Sequence, residues 1–122
     1  MLPRKLPTSS LGNLAENYAV KLLQAKGYRI VSRNFRSRFG EIDIVATDND
    51  TLVFAEVKAR WSLKFGNPEE AVTPWKLVKI QRTGEYFSLL HPEFPKKLRI
   101  DVVSLEIAGG KVVSSRIFKV GA

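Results

Sequence analysis

The stretch Gly-Glu-Ile-Asp-Ile-Val-Ala-Thr-Asp-Asn-Asp-Thr-Leu-Val-Phe-Ala-Glu-Val-Lys-Ala-Arg, residues 40–60, decides the fold of this chain. Two alternating runs rich in β-branched residues flank a polar turn, which is typical of a β-hairpin. A two-residue loop at 49–50 fixes which residues of the two strands lie opposite each other. This register sets two pairs of charged residues face to face: Asp43 with Glu56, and Glu41 with Lys58.

Four charged side chains on one patch of an apolar hairpin admit two interpretations. Carboxylates about 5 Å apart repel by roughly 3 kcal/mol at an effective dielectric constant of 20, and a divalent cation removes that repulsion. Carboxylate oxygens are the ligands that Mg²⁺ and Mn²⁺ prefer. Alternatively, Lys58 neutralises the patch through ion pairs with Glu41 and Asp43, each worth about 0–1 kcal/mol. The pattern alone leaves both interpretations open.

Length and composition indicate one globular domain. The 122 residues include no cysteine and a single histidine, His91, so cysteine or multi-histidine metal sites are excluded. No apolar run approaches the roughly 18 residues that a membrane helix needs, and we expect no membrane partner. The lack of cysteine suits a reducing cytoplasm, where we expect the protein to work. We expect residues 1–10 to form a flexible basic tail and residues 11–122 to form the domain.

Positive charge is concentrated in the first third of the chain. The formal net charge is +8, and residues 1–40 hold eight Lys or Arg against one acid, whereas residues 41–122 hold twelve against eleven. Such asymmetry indicates a polyanionic partner, which is nucleic acid or an acidic membrane surface. We favour nucleic acid, and DNA over RNA. A homodimer is compatible with the sequence and stays open.

Arginines alternate with two phenylalanines just before the acidic hairpin. Guanidinium groups bind phosphate in bidentate fashion, and exposed aromatic rings stack on bases. The alternative for the rings is burial, and we expect both Phe35 and Phe39 to lie in the core. We expect the arginines of this region to contact phosphate: Arg29, Arg33, Arg36 and Arg38.

The remaining pattern predicts two helices and five strands. Expected elements are a helix from Ser10 or Asn13 to Lys26 with Gly27 as its stop, strands at 28–34, 98–107 and 112–120 besides the hairpin, and a helix from Pro74 to Leu90 capped by Thr73. Residues 61–68 are expected to form a loop. The order α-β-β-β-α-β-β predicts an α/β fold with a mixed five-stranded sheet flanked by helices.

Each predicted helix carries one charged residue at the edge of its apolar stripe. The stripes are Leu11, Ala15, Tyr18, Ala19, Leu22 and Ala25 in the first helix, and Leu77, Ile80, Gly84 and Phe87 in the second. Glu16 lies beside the first stripe, where it either forms a capping box with Asn13 or has a functional role. Lys76 lies beside the second, where it either leans toward the acidic patch or extends past Ile80 to solvent. Asp101 interrupts an apolar strand, and we interpret it as structural or supporting.

Several short motifs together resemble the YraN family, a group of small bacterial endonuclease-like proteins. The motifs are Gly12-x-x-Ala15-Glu16, Gly27-Tyr28, Arg33-Asn34, Gly40-Glu41-Ile42-Asp43, Phe54-x-Glu56-Val57-Lys58-x-Arg60, Phe65-Gly66, Lys76 and Asp101-Val102-Val103. Asp43 followed by Glu56-Val57-Lys58 is similar to the signature of the PD-(D/E)xK, or restriction-endonuclease-like, superfamily, which includes archaeal Holliday-junction resolvases. The departures are Ile42 for the motif proline, Ala55 for valine and Gly84 for alanine.

The resemblance implies a restriction-endonuclease-like fold and a metal site. It implies that Asp43, Glu56 and Glu16 bind Mg²⁺ or Mn²⁺, and that Lys58 positions or activates the attacking water. The basic residues at 29–38, with Arg60 and Lys76, would bind nucleic acid. The hypothesis is a metal-dependent endonuclease-like protein acting on structured nucleic acid. The alternatives are a nucleic-acid-binding protein without cleavage, and a scaffold whose charges form ion pairs.

Overall fold

The hairpin of residues 40–60 lies at the centre of a five-stranded sheet in the computed structural model. The structure describes residues 6–60 and 72–121, with side chains for 12–60 and 72–120. Its elements are α1 (Leu6–Ala25), β1 (Arg29–Ser37), β2 (Gly40–Asp48), β3 (Thr51–Arg60), α2 (Pro74–Leu90), β4 (Lys97–Ala108) and β5 (Lys111–Gly121). The predicted loop at 61–68 lies outside the described residues.

The sheet is mixed, as the order of elements predicts. The strands are arranged β1-β2-β3-β4-β5, with β3 and β4 parallel and the other neighbours antiparallel. The two parallel strands are separated in sequence by α2, since parallel neighbours need a long crossover. The α/β class and the order α-β-β-β-α-β-β are therefore confirmed. Within the described residues, neither helix is long and apolar enough to cross a membrane.

The two helices cover opposite faces of the sheet. Residues of α1 pack against Ile44 and Val53, whereas α2 packs against Val45 and Phe54. Because successive side chains of a strand point to opposite faces, these neighbouring pairs place one helix on each side. The central strands β2, β3 and β4 are consequently buried on both faces, which explains their nearly continuous apolar sequences.

The hairpin register is confirmed near the turn and is wrong beyond it. Pairing runs from Asp48–Thr51 to Ile44–Ala55, and Asn49 in the turn has φ 56°. The ladder ends there, so the predicted continuation to Asp43–Glu56 and Glu41–Lys58 does not form. Glu41 instead lies opposite Arg36 of β1.

A break in the alternation of β2 accounts for the lost pairing. Ile42 belongs to the core cluster under α2, whereas Ile44, two residues later, belongs to the cluster under α1. A regular strand would put both on one face. Asp43 lies at the change, and in β1 the facing region contains Asn34 in the left-handed conformation, with φ 56°. This irregularity lies where the first residues of β2, before Ile44, are separated from β3.

Helix α1 begins earlier than predicted. It starts at Leu6 rather than at Ser10 or Asn13, because Pro7 fits the first turn of a helix, where its missing N–H costs nothing. The expected tail at 1–10 therefore overlaps the helix at 6–10, and residues 1–5 lie outside the described residues. With Asn13 inside the helix, the capping box with Glu16 is excluded. The predicted stop is confirmed by Gly27, whose φ is 96°.

The buried stripes of both helices differ slightly from the predicted ones. In α1, Leu23 is fully buried, whereas Tyr18 is 38% exposed and Ala25 is exposed, so the buried face is rotated toward Glu16. In α2, Ile80, Gly84 and Phe87 are buried as predicted, together with Thr83. The N-cap is confirmed, because the Thr73 hydroxyl accepts from the Lys76 amide at 3.2 Å.

Candidate functional site

Asp43 and Glu56 lie where β2 and β3 part. The last paired residues are Ile44 and Ala55, and one residue further the Asp43 carboxylate accepts a hydrogen bond from the backbone amide of Val57 at 2.8 Å. The side chain of Asp43 thus takes the position of a backbone acceptor after the ladder has ended. Both carboxylates therefore lie in the cleft that forms where the two strands separate.

Two lysines neutralise Glu56, which is 7% exposed. The Lys76 ammonium lies 2.6 Å from the Glu56 Oε2 atom, and the Lys58 ammonium lies 3.6 Å from the same oxygen. Of the two interpretations of Lys76, the structure therefore supports the one in which it leans toward the acidic patch. The ion-pair interpretation predicted Lys58 pairs with Glu41 and Asp43, but Lys58 pairs with Glu56 and Glu41 pairs with Arg36.

Folding opposes the ionisation of Asp43. Burial and the nearby Glu56 carboxylate raise the pKa of Asp43 to about 6, the Val57 amide lowers it, and Glu16 and Glu41 raise it further. The carboxylates thus retain mutual repulsion despite the lysines. A divalent cation bound between carboxylates relieves repulsion of this kind.

The two lysines at Glu56 differ in their protonation equilibria. Burial lowers the pKa of Lys58, the adjacent Lys76 lowers it further, and Glu56 opposes the change only in part. Burial also acts to lower the pKa of Lys76, but its short hydrogen bond to Glu56 and its contact with Lys58 outweigh burial and raise the pKa overall. Lys76 is therefore a fixed cation, whereas Lys58 is the lysine that gives up a proton more readily.

Glu16 is a buried carboxylate with incomplete hydrogen bonding. It is 8% exposed, and its Oε1 atom lies 3.3 Å from the Asn34 amide and 3.5 Å from the Arg33 guanidinium. Its Oε2 atom is buried and has no hydrogen-bond partner. A buried oxygen without a partner is costly and calls for an explanation such as an unseen ion or water. Glu16 also contributes to the raised pKa of Asp43.

The three predicted ligands have the chemistry that a divalent cation requires, but their side chains are not arranged around one point. All three predicted ligands are carboxylates, the type that Mg²⁺ and Mn²⁺ favour. Within 12–60 and 72–120, however, no group of three or more His, Cys, Asp or Glu side chains is arranged to hold a metal ion. Lys76 lies 2.6 Å from one Glu56 oxygen and would compete with such an ion for it. Asp43, Glu56 and Glu16 are the residues that would hold a metal ion.

A cavity of about 530 Å³ gives access to the two central carboxylates. Its walls come from the end of β1, the start of β2, β3 and α2. The lining residues include Arg36, Glu41, Asp43, Glu56, Lys76 and Lys79. Three cations beside three acids make a place where a phosphate group can approach the carboxylates without net repulsion.

The predicted phosphate-binding arginines are divided between two ends of the sheet. Arg36 is well exposed, pairs with Glu41 at 3.8 Å, and lines the cavity. Arg38 follows in the β1–β2 turn and is exposed. Arg29 begins β1 at the opposite end, roughly 23 Å from Arg36 at about 3.3 Å per residue. Arg36 and Arg38 are thus near the candidate site, and Arg29 is not.

The other two predicted arginines have partners of their own. The guanidinium of Arg33 donates to the Asn17 side chain at 2.7 Å and contacts Glu16, so in this structure it ties β1 to α1. Arg60 is half-buried and ends β3 opposite Glu106 of β4. Neither lines the cavity that contains Asp43 and Glu56.

The prediction for the two phenylalanine rings is correct only for Phe35. That ring packs edge-on against Phe87 at 5.0 Å in the core beneath α2. Phe39 is 37% exposed at the β1–β2 turn and lies 5.4 Å from Tyr86. The prediction that it belongs to the core is wrong, because residues 38–39 form the turn between β1 and β2.

Asp101 belongs to a separate buried network. It is fully buried, accepts from the Tyr28 hydroxyl at 2.6 Å, and pairs with Arg99 at 2.8 Å. Arg99 also pairs with Asp48 at 2.8 Å. Burial and the hydrogen bond to Asp101 raise the pKa of Tyr28. This network ties together β2, β4 and the connection between α1 and β1, which agrees with the structural interpretation of Asp101.

Sequence reasoning assigned no role to Asn34, which contacts Glu16, or to Tyr86, which contacts the β1–β2 turn. Asn34 combines a left-handed backbone with a hydrogen bond to Glu16. Asparagine tolerates that backbone better than most residues, so Arg33-Asn34 within a strand is a signal of a local irregularity. Tyr86 escaped notice because it lies on the exposed side of α2, and only the fold brings Phe39 to it.

Fold and site together define a class of protein: an α/β domain whose central hairpin carries a carboxylate–lysine cluster. Comparison with known sequences identifies the family within that class. Residues 15–105 match the sequence profile described as "Uncharacterised protein family UPF0102". The chain belongs to the uncharacterised protein family UPF0102, and YraN is another name for the same family.

Individual relatives cover most of the chain. A UPF0102 protein of Syntrophomonas wolfei is 43% identical over 101 residues, which is 83% of this chain and 88% of the relative. One of Persephonella marina is 45% identical over 77% of this chain and 81% of the relative. One of Caldicellulosiruptor bescii is 48% identical over 81% of this chain and 84% of the relative.

Proposed function

We propose that this protein is a metal-dependent phosphodiesterase that binds and hydrolyses structured nucleic acid, with DNA favoured. The observation that carries the proposal is the meeting of Asp43 and Glu56 with Lys58 and Lys76 at the point where β2 and β3 part. Burying charged side chains beside a cavity destabilises a fold, and function is a common reason to retain such a cluster. The net charge of +8 separately favours a polyanionic partner. The resemblance to PD-(D/E)xK nucleases supports the same assignment.

Each group has a role that its surroundings suit. Asp43 and Glu56 would hold Mg²⁺ or Mn²⁺, and Glu16, with its unpartnered oxygen, would complete the set. The ion would supply polarisation of the phosphate and a lower pKa for the attacking water. Function in the cytoplasm, expected from the cysteine-free sequence, belongs to the same proposal.

The two lysines at Glu56 would have different roles. Lys58, whose ammonium lies 3.6 Å from the Glu56 carboxylate, would orient the attacking water. The water would lose its proton to solvent as the new oxygen–phosphorus bond forms, and the leaving sugar oxygen would take a proton from solvent as its bond to phosphorus breaks. Lys76, which stays charged, is placed to leave Glu56 for the phosphate oxygens as negative charge develops there. Arg36, on the same cavity wall, would hold the phosphate backbone.

A second function is favoured by one contact. The 2.6 Å ion pair between Lys76 and Glu56 neutralises a metal ligand without any metal. A protein that kept this pair permanently would bind nucleic acid through its arginines and cleave nothing. The two functions share the binding surface and differ in whether Glu56 is released.

Cleavage of branched, flapped and linear DNA with Mn²⁺ distinguishes them. For the nuclease, we expect cleavage by the wild type and a loss of about 10²-fold or more in rate for Glu56→Gln and Lys58→Ala. Glu85→Gln is the matched control, because Glu85 is an exposed carboxylate on α2 that contacts Gln81. If the wild type binds DNA and neither it nor any variant cleaves DNA, the second function is favoured. Cleavage that survives Glu56→Gln unchanged would refute the site.

A further inference from the structure

One face of α2 presents aromatic and basic side chains in a line. Trp75, Lys79, Arg82 and Tyr86 follow the spacing i, i+4, i+7, i+11, which keeps them on one side of a helix. All four are exposed, Trp75 at 71% and Tyr86 at 36%. We refer to these four residues as the α2 stripe. It spans about 16 Å along the helix at about 1.5 Å per residue.

The β1–β2 turn extends the stripe sideways. The Phe39 ring lies 5.4 Å from Tyr86, and the Arg38 guanidinium lies 5.1 Å from the Phe39 ring. Phe35 lies 6.4 Å from Tyr86 and 5.0 Å from the buried Phe87. The exposed rings of Tyr86 and Phe39 are therefore supported by the core through Phe35. Rings already held in place lose little conformational freedom when a ligand stacks on them.

The stripe leads directly to the carboxylates. Lys76, the residue after Trp75, holds Glu56, and Lys79 of the stripe lines the same cavity as Asp43 and Glu56. Lys79 therefore belongs both to the stripe and to the wall of the cavity that contains the two carboxylates. The one acidic residue of α2, Glu85, is about 100° around the helix from Tyr86.

We infer that the α2 stripe and the β1–β2 turn bind an unpaired nucleic-acid strand and guide it to the carboxylate site. Cations bind the phosphates, and exposed rings stack on bases, whose faces are accessible only when the strand is unpaired. A fully paired duplex offers phosphates but no base faces. The inference rests on the proposed function and narrows it to substrates with a single-stranded segment beside the cleaved bond.

Tryptophan fluorescence tests the contact directly. The chain has two tryptophans, and Trp61→Phe leaves Trp75 as the only reporter. In EDTA, we expect a mixed-sequence single-stranded DNA or RNA of about 12 nucleotides to quench Trp75, because stacking on a base does so. A blunt duplex of the same sequence should quench it much less. Absence of quenching by both single strands would overturn the inference.

Affinity measurements on variants give a second readout. We expect Trp75→Ala and Tyr86→Ala each to weaken single-strand binding about fivefold or more, with duplex binding unchanged. Leu89→Ala is the matched control, because Leu89 is an 80% exposed side chain of the same helix that is not aromatic. Equal single-strand affinity for the wild type and both aromatic variants would contradict the inference, as would an equal loss in Leu89→Ala, which would indicate an apolar docking surface.

These binding tests separate the inference from the proposed function because they use no metal. Aromatic variants that lose single-strand binding, in a protein that shows no Mn²⁺-dependent cleavage, would support the stripe and refute the nuclease. Aromatic variants that bind as the wild type does, in a protein whose cleavage depends on Glu56, would refute only the stripe.

Discussion

Folding places Asp43 where its negative charge is unfavourable. Burial and the neighbouring carboxylates Glu56, Glu16 and Glu41 raise the pKa of this group to about 6, above the roughly 3.9 of an unfolded chain. The folded state therefore binds the proton more tightly than the unfolded state does. The Asp43 carboxyl group therefore contributes most to the stability of the fold below pH 4, and this contribution is lost as the pH rises through about 6.

Replacing Asp43 with Asn should remove this penalty. Asparagine keeps an oxygen that can accept from the Val57 amide and carries no charge. In EDTA, we expect Asp43→Asn to be more stable than the wild type by about 3 kcal/mol at pH 8, since the pKa is raised by about two units and each unit corresponds to about 1.4 kcal/mol. At pH 4 the difference should nearly vanish. Urea unfolding at both pH values measures it, and a variant less stable at pH 8 would contradict the assignment.

At the scale of residues, prediction from sequence succeeded where local sequence allowed only one interpretation. The turn at Asn49 fixed the register as far as Ile44–Ala55. Glu16 had two local explanations, and only the start of α1 at Leu6 eliminates the capping box. The contact of Lys76 with Glu56 depends on how α2 crosses the sheet, which no local pattern encodes.

At the scale of elements, α2 and β3 are fitted to each other at Gly84. A Cβ atom at this position would lie 2.5 Å from the Phe54 ring, which is itself 1% exposed. The family resemblance led us to expect alanine here. Glycine therefore follows from the size of Phe54 on the facing strand, and the close approach of α2 keeps Lys76 within reach of Glu56.

Adding a methyl group at position 84 should test that fit. We expect Gly84→Ala to destabilise the fold by about 1–3 kcal/mol through overpacking, although alanine favours a helix. Gly12→Ala is the matched control in α1, because a Cβ there would meet nothing within 4 Å. We expect the control to stabilise by about 0.5–1 kcal/mol. Urea unfolding of both variants measures these changes in the free energy of unfolding. An unchanged value for Gly84→Ala would contradict the prediction, because it would show that the Phe54 ring moves aside.

The elements themselves were largely predictable, and their irregularities were not. Apolar runs rich in β-branched residues, separated by turn residues, predicted the five strands, and the Thr73-Pro74 cap predicted the start of α2. At the break, next to Asn34 and Asp43, the buried side chains of β2 change from the cluster under α2 to the cluster under α1, so a rule of strict alternation missed it. That break is also what opens the cleft at the candidate site.

On the scale of the whole molecule, charge is arranged around one end of the sheet. Arg36, Arg38, Lys76 and Lys79 surround the carboxylate cleft or its approach, whereas Arg29 lies at the other end of β1. The net charge of +8 predicted a polyanionic partner but not its location. Only the pairing of β1 with β2, which sets Arg36 opposite Glu41, places this end of the basic run beside the site.

This arrangement predicts unequal effects of the arginines on DNA binding. We expect Arg36→Gln and Arg38→Gln each to weaken binding and to reduce the slope of log affinity against log salt concentration by about 0.7–0.9, the value for one phosphate contact. Arg29→Gln, the same change at the far end of β1, should leave affinity and slope nearly unchanged. Fluorescence anisotropy across a salt series measures both quantities. Equal effects for all three would indicate diffuse attraction rather than a defined surface.

The central claim is that the carboxylates at the parting of β2 and β3 bind a divalent cation. Calorimetric titration of Mn²⁺ near pH 6 tests it, because ion binding should also displace the proton held by Asp43. We expect saturable binding with proton release for the wild type and for Glu85→Gln, and loss of both for Asp43→Asn and Glu56→Gln. No binding to the wild type, or equal binding to Glu56→Gln, would contradict the account.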